Sequence, residues 1–147
     1  MADDRADDDD RAVATEDRAE LLERAREARS LAIAPYSAFP VGAAVRTADG
    51  EVYEGANLEV VNFSNTLHAE EVALARALVA GHRDFDAIAV AGPDADGLAP
   101  CGRCRQTLAE FCPADLPVVV DDGGEPRTYT LDELLPDRMS AERLRDR

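Results

Sequence analysis

The sequence predicts an α/β fold, a three-layer α-β-α arrangement around a mixed, mainly parallel five-stranded sheet. Three observations carry this. Helix-period and strand-period segments alternate along the chain in the order α-β-β-α-β-α-β-β-α. Two strand–helix–strand units fall within that order, and such units favour parallel strands with helices on both faces. Ile88-Ala89-Val90-Ala91 and Val118-Val119-Val120 are continuous apolar runs, as strands buried on both faces are.

Residues 1–14 are Asp-rich and poor in apolar side chains, and read as a disordered, solvated tail. Thr15 reads as a helix N-cap, with Glu16 and Asp17 in the first turn. Leu21, Leu22, Ala25, Ala28 and Ala32 then recur at helical spacing, Glu20 and Arg24 form an i,i+4 pair, and Ala34-Pro35 ends the helix. Residues 36–40 are a loop. Val41-Gly42-Ala43-Ala44-Val45 is a buried strand, Asp49-Gly50 a hairpin turn, and residues 52–57 the returning strand. After an irregular connection, His68 opens a helix through Ala69, Val72, Ala73, Ala77, Leu78 and Val79, stopped by Gly81. Cys101 opens another, through Leu108 and Phe111 to Pro113. Residues 127–130 form a last edge strand, residues 131–135 a short helical turn, and residues 140–147 a polar tail. The expected organisation is one catalytic-sized domain over residues 15–139 between two tails. No repeat with a period of about 20–50 residues is visible.

The 147 residues carry a formal net charge of −15. The first 17 residues hold eight acids and two arginines, a net of 2 − 8 = −6, so −15 − (−6) = −9 remains on the rest. All 16 basic residues are Arg. Dense Asp/Glu without Lys resembles a salt-adapted, halophilic protein whose self-repulsion is screened by counterions, though GC-rich coding also produces Arg for Lys. Such charge argues against a nucleic-acid partner, because phosphate backbones need Lys/Arg neutralisation. No window of about 18 apolar residues exists, so no membrane helix is expected. The N-terminus lacks an apolar h-region, so a cytoplasmic protein is expected. Three cysteines, two in a C-x-x-C, do not make a disulfide framework; metal binding or redox chemistry fits better.

The chemistry concentrates in His68-Ala69-Glu70-Glu71 and Pro100-Cys101-Gly102-Arg103-Cys104-Arg105-Gln106. A C-x-x-C heading a helix is compatible with a redox dithiol. It is also compatible with half of a structural zinc knuckle, which needs a fourth Cys or His; His82 and Cys112 are the spare residues. Cys112 reads rather as a packed core thiol. A third reading joins His68, Cys101 and Cys104 as three metal ligands, with Glu70 free to move protons and the fourth tetrahedral position open to water. H-x-E followed by P-C-x-x-C is the signature pattern of zinc deaminases. Glu71 reads as a solvated helix residue.

With these residues in hand, the chain resembles the cytidine deaminase family in its short, single-domain form. Residues 35–44 (Pro35-Tyr36-Ser37-Ala38-Phe39-Pro40 and onward) are similar to its first motif. Gly55-Ala56-Asn57-Leu58-Glu59 is similar to its G-x-N-x-E, and Leu131-Asp132-Glu133-Leu134-Leu135-Pro136 to its C-terminal L-x-x-L-L-P. The resemblance implies a cytidine deaminase-like fold, one Zn²⁺ per subunit on His68, Cys101 and Cys104, and Glu70 as the catalytic proton carrier. It implies that Phe39 packs on the pyrimidine and that Asn57 and Glu59 bind the ribose. It further implies that the Ala69 N–H reads the base carbonyl and the Ala99 carbonyl faces the amino group. A turn-holding role is the alternative for Asn57, and a core role for Phe39. The implied activity is hydrolytic deamination of cytidine or deoxycytidine in pyrimidine salvage, by a homotetramer. Another cytosine-containing nucleoside as substrate, or a non-catalytic zinc-stabilised protein, are the other readings; the free carboxylate of Glu70 speaks against the last. The chain departs from the short-form pattern at His68 (usually Cys), Glu71 (usually Arg), Val60, Val61, Phe63 and Met139. Because two thiolates and a neutral imidazole leave the site formally neutral, no Arg is needed beside it, and Glu71→Arg is expected to change activity little.

Overall fold

Small and large apolar side chains alternate along the central strands, and this sorts them between two helical layers. The computed structural model describes the backbone of residues 4–146 and the side chains of residues 16–146. The elements are α1 (Asp4–Ala28), β1 (Gly42–Thr47), β2 (Val52–Ala56), α2 (Ala69–Val79), β3 (Phe85–Ala91), α3 (Gly102–Phe111), β4 (Pro117–Asp122), β5 (Glu125–Thr130), α4 (Leu131–Leu134) and α5 (Ala141–Arg145). The expected order is found, with α5 added where a polar tail was expected; the Ser140 hydroxyl accepts from the Arg143 amide and caps it. The backbone of α1 is helical from Asp4, ahead of the Thr15 cap, through a stretch whose Ala and Arg residues favour a helix. Of the expected acidic tail, residues 1–3 and the side chains of residues 4–15 lie outside the described residues.

On one face of the sheet, Leu21, Leu22 and Ala25 of α1 pack against Ala44, Ala87, Ala89, Ala91 and Val119. On the other, Ala73, Leu74 and Ala77 of α2 and Leu108 and Cys112 of α3 pack against Ala43, Val45, Ile88 and Val118. Neighbouring residues of β1, β3 and β4 thus serve opposite layers, as the two-residue period of a strand requires. Arg26 reaches from α1 to Asp121 at the end of β4 (2.8 Å). That hydrogen bond holds the Asp121 carboxyl below the usual carboxylate range.

The sheet is five-stranded and mixed, in the order β2-β1-β3-β4-β5. It is not mainly parallel. Only β3 and β4 pair in parallel; β1–β2, β1–β3 and β4–β5 are antiparallel. The two strand–helix–strand units do send β2, β3 and β4 in one direction. However, β1 inserts between β2 and β3 and separates strands that its absence would leave as a parallel pair. The last hairpin turns tightly at Gly123 and Gly124, both with positive φ.

This topology gathers strand ends. Gly42 at the start of β1 pairs with Ala56 at the end of β2 and Ala91 at the end of β3. The segments that enter β1 and leave β2 and β3 therefore share one edge. Two glycines let helices settle close to the sheet there. A Cβ at Gly42 would overlap the Ala25 carbonyl of α1, and one at Gly55 would overlap the Ala69 carbonyl and the Ala73 amide of α2. Because Ala69 opens α2, Gly55→Ala is expected to push that helix tip outward. The expected cost is about 1–3 kcal/mol of stability, read as a lower thermal midpoint. Unchanged unfolding would show that α2 yields without loss.

Candidate active site

His68 and Cys101 are N-cap residues, and their backbones are extended (φ −81°, ψ 153° and φ −69°, ψ 170°) before α2 and α3 begin. The two helix N-termini converge. The His68 Nδ1 atom lies 3.3 Å from Cys101 Sγ and 3.4 Å from Cys104 Sγ. The three donor atoms sit within 4.8 Å of one another. With Zn–S of about 2.3 Å and Zn–N of about 2.0–2.1 Å, a tetrahedral site separates N and S donors by about 3.6 Å. The donor set therefore fits zinc in identity and in span. Unpaired N–H groups at both helix starts place partial positive charge beside the sulfurs.

A cavity of about 390 Å³ opens beside the donors, in the size range of small-molecule sites. Among its lining residues are Phe39, Asn57, Glu59, Ala69, Glu70 and Ala99, together with His68 and Cys101. Every site residue expected from the sequence thus lies at one place, with Cys104 buried behind His68. Glu70 is 6% exposed. Burial pushes its carboxyl up from the ordinary range, against the opposing pull of its own amide and the Cys104 thiol.

Phe39 is half exposed, and the loop before it is constrained. Ala38 adopts φ 55°, rare for a residue with a side chain. Asn57 holds this loop from both ends of its amide: Oδ1 accepts from the Val41 N–H (2.9 Å), and Nδ2 donates to the Phe39 carbonyl (2.9 Å). Glu59 Oε1 accepts from the Tyr36 and Ser37 amides (3.0 and 3.1 Å). Hydrogen bonding from Ser37 keeps the Glu59 carboxyl below its ordinary range. The turn-holding alternative for Asn57 is therefore what its hydrogen bonds do, while the residue still lines the cavity.

Glu71 is not a solvated residue. At the third position of α2 its side chain turns back toward the N-cap, where Oε1 accepts from the His68 N–H (3.2 Å). Its other oxygen accepts from the Arg103 guanidinium (3.2 Å). Arg103 went unnoticed in the sequence, although its place between the two cysteines was the available signal. Ser37 and Val41, within the segment 35–44, also line the cavity, as do Thr66, Val90 and Leu98. The spare candidates are elsewhere. His82 Nε2 lies 2.7 Å from Glu51 Oε2, and its Nδ1 lies 3.7 Å from Asp49 Oδ1, so its two nitrogens face separate carboxylates. Cys112 closes α3 in the core, where burial pushes its thiol up to about 12. Among the described residues no helix is long and apolar enough to cross a membrane.

Residues 15–120 match the family model for the cytidine and deoxycytidylate deaminase zinc-binding region. A cytidine deaminase of Halalkalibacterium halodurans is 44% identical over 131 residues, covering 88% of this chain and 99% of the relative. A cytidine deaminase of Sporosarcina psychrophila is 41% identical, covering 84% and 92%. The crystal structure of cytidine deaminase from Burkholderia pseudomallei superposes with a TM-score of 0.78 at 44% identity, covering 82% of this chain and 97% of that one. The geometry separates the cysteines in a measurable way. Cys104→Ser is expected to lose bound zinc on desalting, and Cys112→Ser to keep it, by metal analysis of the purified proteins. Zinc loss in the Cys112 variant with an intact fold would place that thiol in the site.

Proposed function

Since the chain belongs to the cytidine and deoxycytidylate deaminase family, we propose that it hydrolyses the C4 amino group of cytidine, deoxycytidine or both. The products are ammonia and the corresponding uracil nucleoside. One observation carries the reading: a buried carboxyl, Glu70, shares a cavity with the His68, Cys101 and Cys104 donors. Those three residues hold one zinc ion per subunit. Bound there, zinc lowers the pKa of a water from about 15.7 to about 7 and so supplies a nucleophile at neutral pH.

Glu70 moves the protons. It delivers one to N3 of the cytosine ring as water adds at C4, and carries the next to the departing amine. Burial raises its pKa, so a larger fraction holds a proton near neutral pH, which suits a group that must both give and take one. Phe39 packs on the pyrimidine. The Ala69 N–H, in the unpaired first turn of α2, reads the base carbonyl, and the Ala99 carbonyl faces the amino group. Asn57 and Glu59 face the ribose. Among the described residues Glu59 Oε2 makes no hydrogen bond, which leaves it for a sugar hydroxyl.

A homotetramer is the proposed assembly. Leu31, Ile33, Tyr36, Val61 and Phe63 are exposed, and Tyr36 and Phe63 meet edge to face at 6.0 Å. Exposed apolar groups of this kind mark contact surfaces. Light scattering in high salt is expected to return a tetramer; a monomer refutes it. A role in pyrimidine salvage and a preference for high salt complete the reading, the latter resting on the −15 charge.

Glu70→Gln is expected to retain zinc and lose about 10²–10⁴-fold in cytidine turnover. An ultraviolet assay comparing cytidine, deoxycytidine and free cytosine across salt concentrations tests the substrate class. Turnover of the nucleosides but not of the free base is expected. Full activity in Glu70→Gln, or equal turnover of cytosine, overturns the assignment.

A further inference from the structure

The two halves of the donor set belong to separate elements, 33 residues apart from His68 to Cys101. Something must hold them in register. Residues of α2 and α3 pack into one core cluster on the same face of the sheet. One side chain does cross between their tips. Glu71 Oε1 accepts from the backbone N–H of His68, the residue that supplies the nitrogen donor (3.2 Å). Glu71 Oε2 accepts from Arg103 (3.2 Å), which sits between Cys101 and Cys104 in the first turn of α3.

We propose that Glu71 and Arg103 form a positioning bridge that fixes the His68 donor relative to the two cysteines, and that metal retention depends on it. The inference rests on the zinc reading above. Glu71 is largely shielded, with an 18% exposed side chain, while Arg103 is 45% exposed. An ordinary exposed ion pair contributes little to stability. This one differs because its carboxylate joins two donor-bearing turns rather than two points on a surface. Partners that orient metal ligands are felt at the metal: their removal typically costs 10–100-fold in affinity. Arg103 also supplies the positive charge that offsets Glu71 beside two sulfur ligands. Glu71→Arg would remove the cap on His68 and set two guanidinium groups against each other. The mild effect expected from the sequence is therefore withdrawn.

The test is zinc affinity by chelator competition in Glu71→Ala, Arg103→Ala and the double variant, with thermal unfolding of the metal-free proteins alongside. Each single variant is expected to bind zinc about 10–100-fold more weakly. The double variant is expected to lose little more than Glu71→Ala, because the two act as one unit. Arg103→Lys, which keeps the charge, is expected to recover part of the loss. The visible spectrum of the Co²⁺-loaded singles is expected to shift, reporting changed ligand geometry. Zinc affinity within twofold of wild type in both singles overturns the proposal. So do losses that multiply in the double variant, or that follow only a lowered thermal midpoint of the metal-free protein. A wild-type protein that holds no zinc would instead overturn the zinc reading itself.

Discussion

Two helices must end at one point, and most of the molecule serves that constraint. His68 precedes α2, and Cys101 and Cys104 bracket the first turn of α3. A donor set spanning less than 5 Å tolerates little error in where a helix starts. The sheet supplies the datum. β1 begins where β2 and β3 end, so the chain leaves one edge twice and returns from it with a helix each time. Gly55 removes the side chain that would hold α2 off the sheet at its first turns. The same convergence points two positive helix ends at the sulfurs.

Adjacent carboxylates on α2 behave differently because a helix turns about 100° per residue. Glu70 faces the cavity, buried, and its carboxyl is pushed up by the loss of water. Glu71 faces back along the helix and finds a backbone amide and a guanidinium. One environment favours a group that changes protonation state. The other holds a carboxylate between two donors. Neither property is contained in the residue type, and both follow from where the first turn of the helix stands relative to the donors.

That distinction explains what was legible in the sequence. Strand and helix periods, the H-x-E and P-C-x-x-C strings and the Asp49-Gly50 turn are local signals, and they mark elements the structure contains, although α1 starts before Thr15 and ends at Ala28 rather than at Ala34-Pro35. Sheet pairing is not local. β1 lies between β2 and β3, and no periodicity announces a strand inserted between two others, so the sheet is less parallel than the order of elements suggests. The roles of Glu71 and Arg103 were hidden for a similar reason: their contact joins positions 32 residues apart. At the helix start, Glu71 also fitted a local rule, since an N3 Glu reaching back to its N-cap is a known device. Read with that rule, its burial was accessible from the sequence; its link to Arg103 was not.

Two polar residues of the cavity lining, Asn57 and Glu59, also hold the loop beside them. Both ends of the Asn57 amide are engaged by the loop that carries Phe39. Glu59 secures the start of that loop with one oxygen. The loop needs such support, because Ala38 sits in a left-handed conformation that an alanine does not choose unaided. Asn57 therefore fixes where the Phe39 backbone stands beside the cavity. A cavity wall braced in this way is set before a ligand arrives, so less ordering accompanies binding. The polarity of G-x-N-x-E thus answers a structural demand of the segment 36–41.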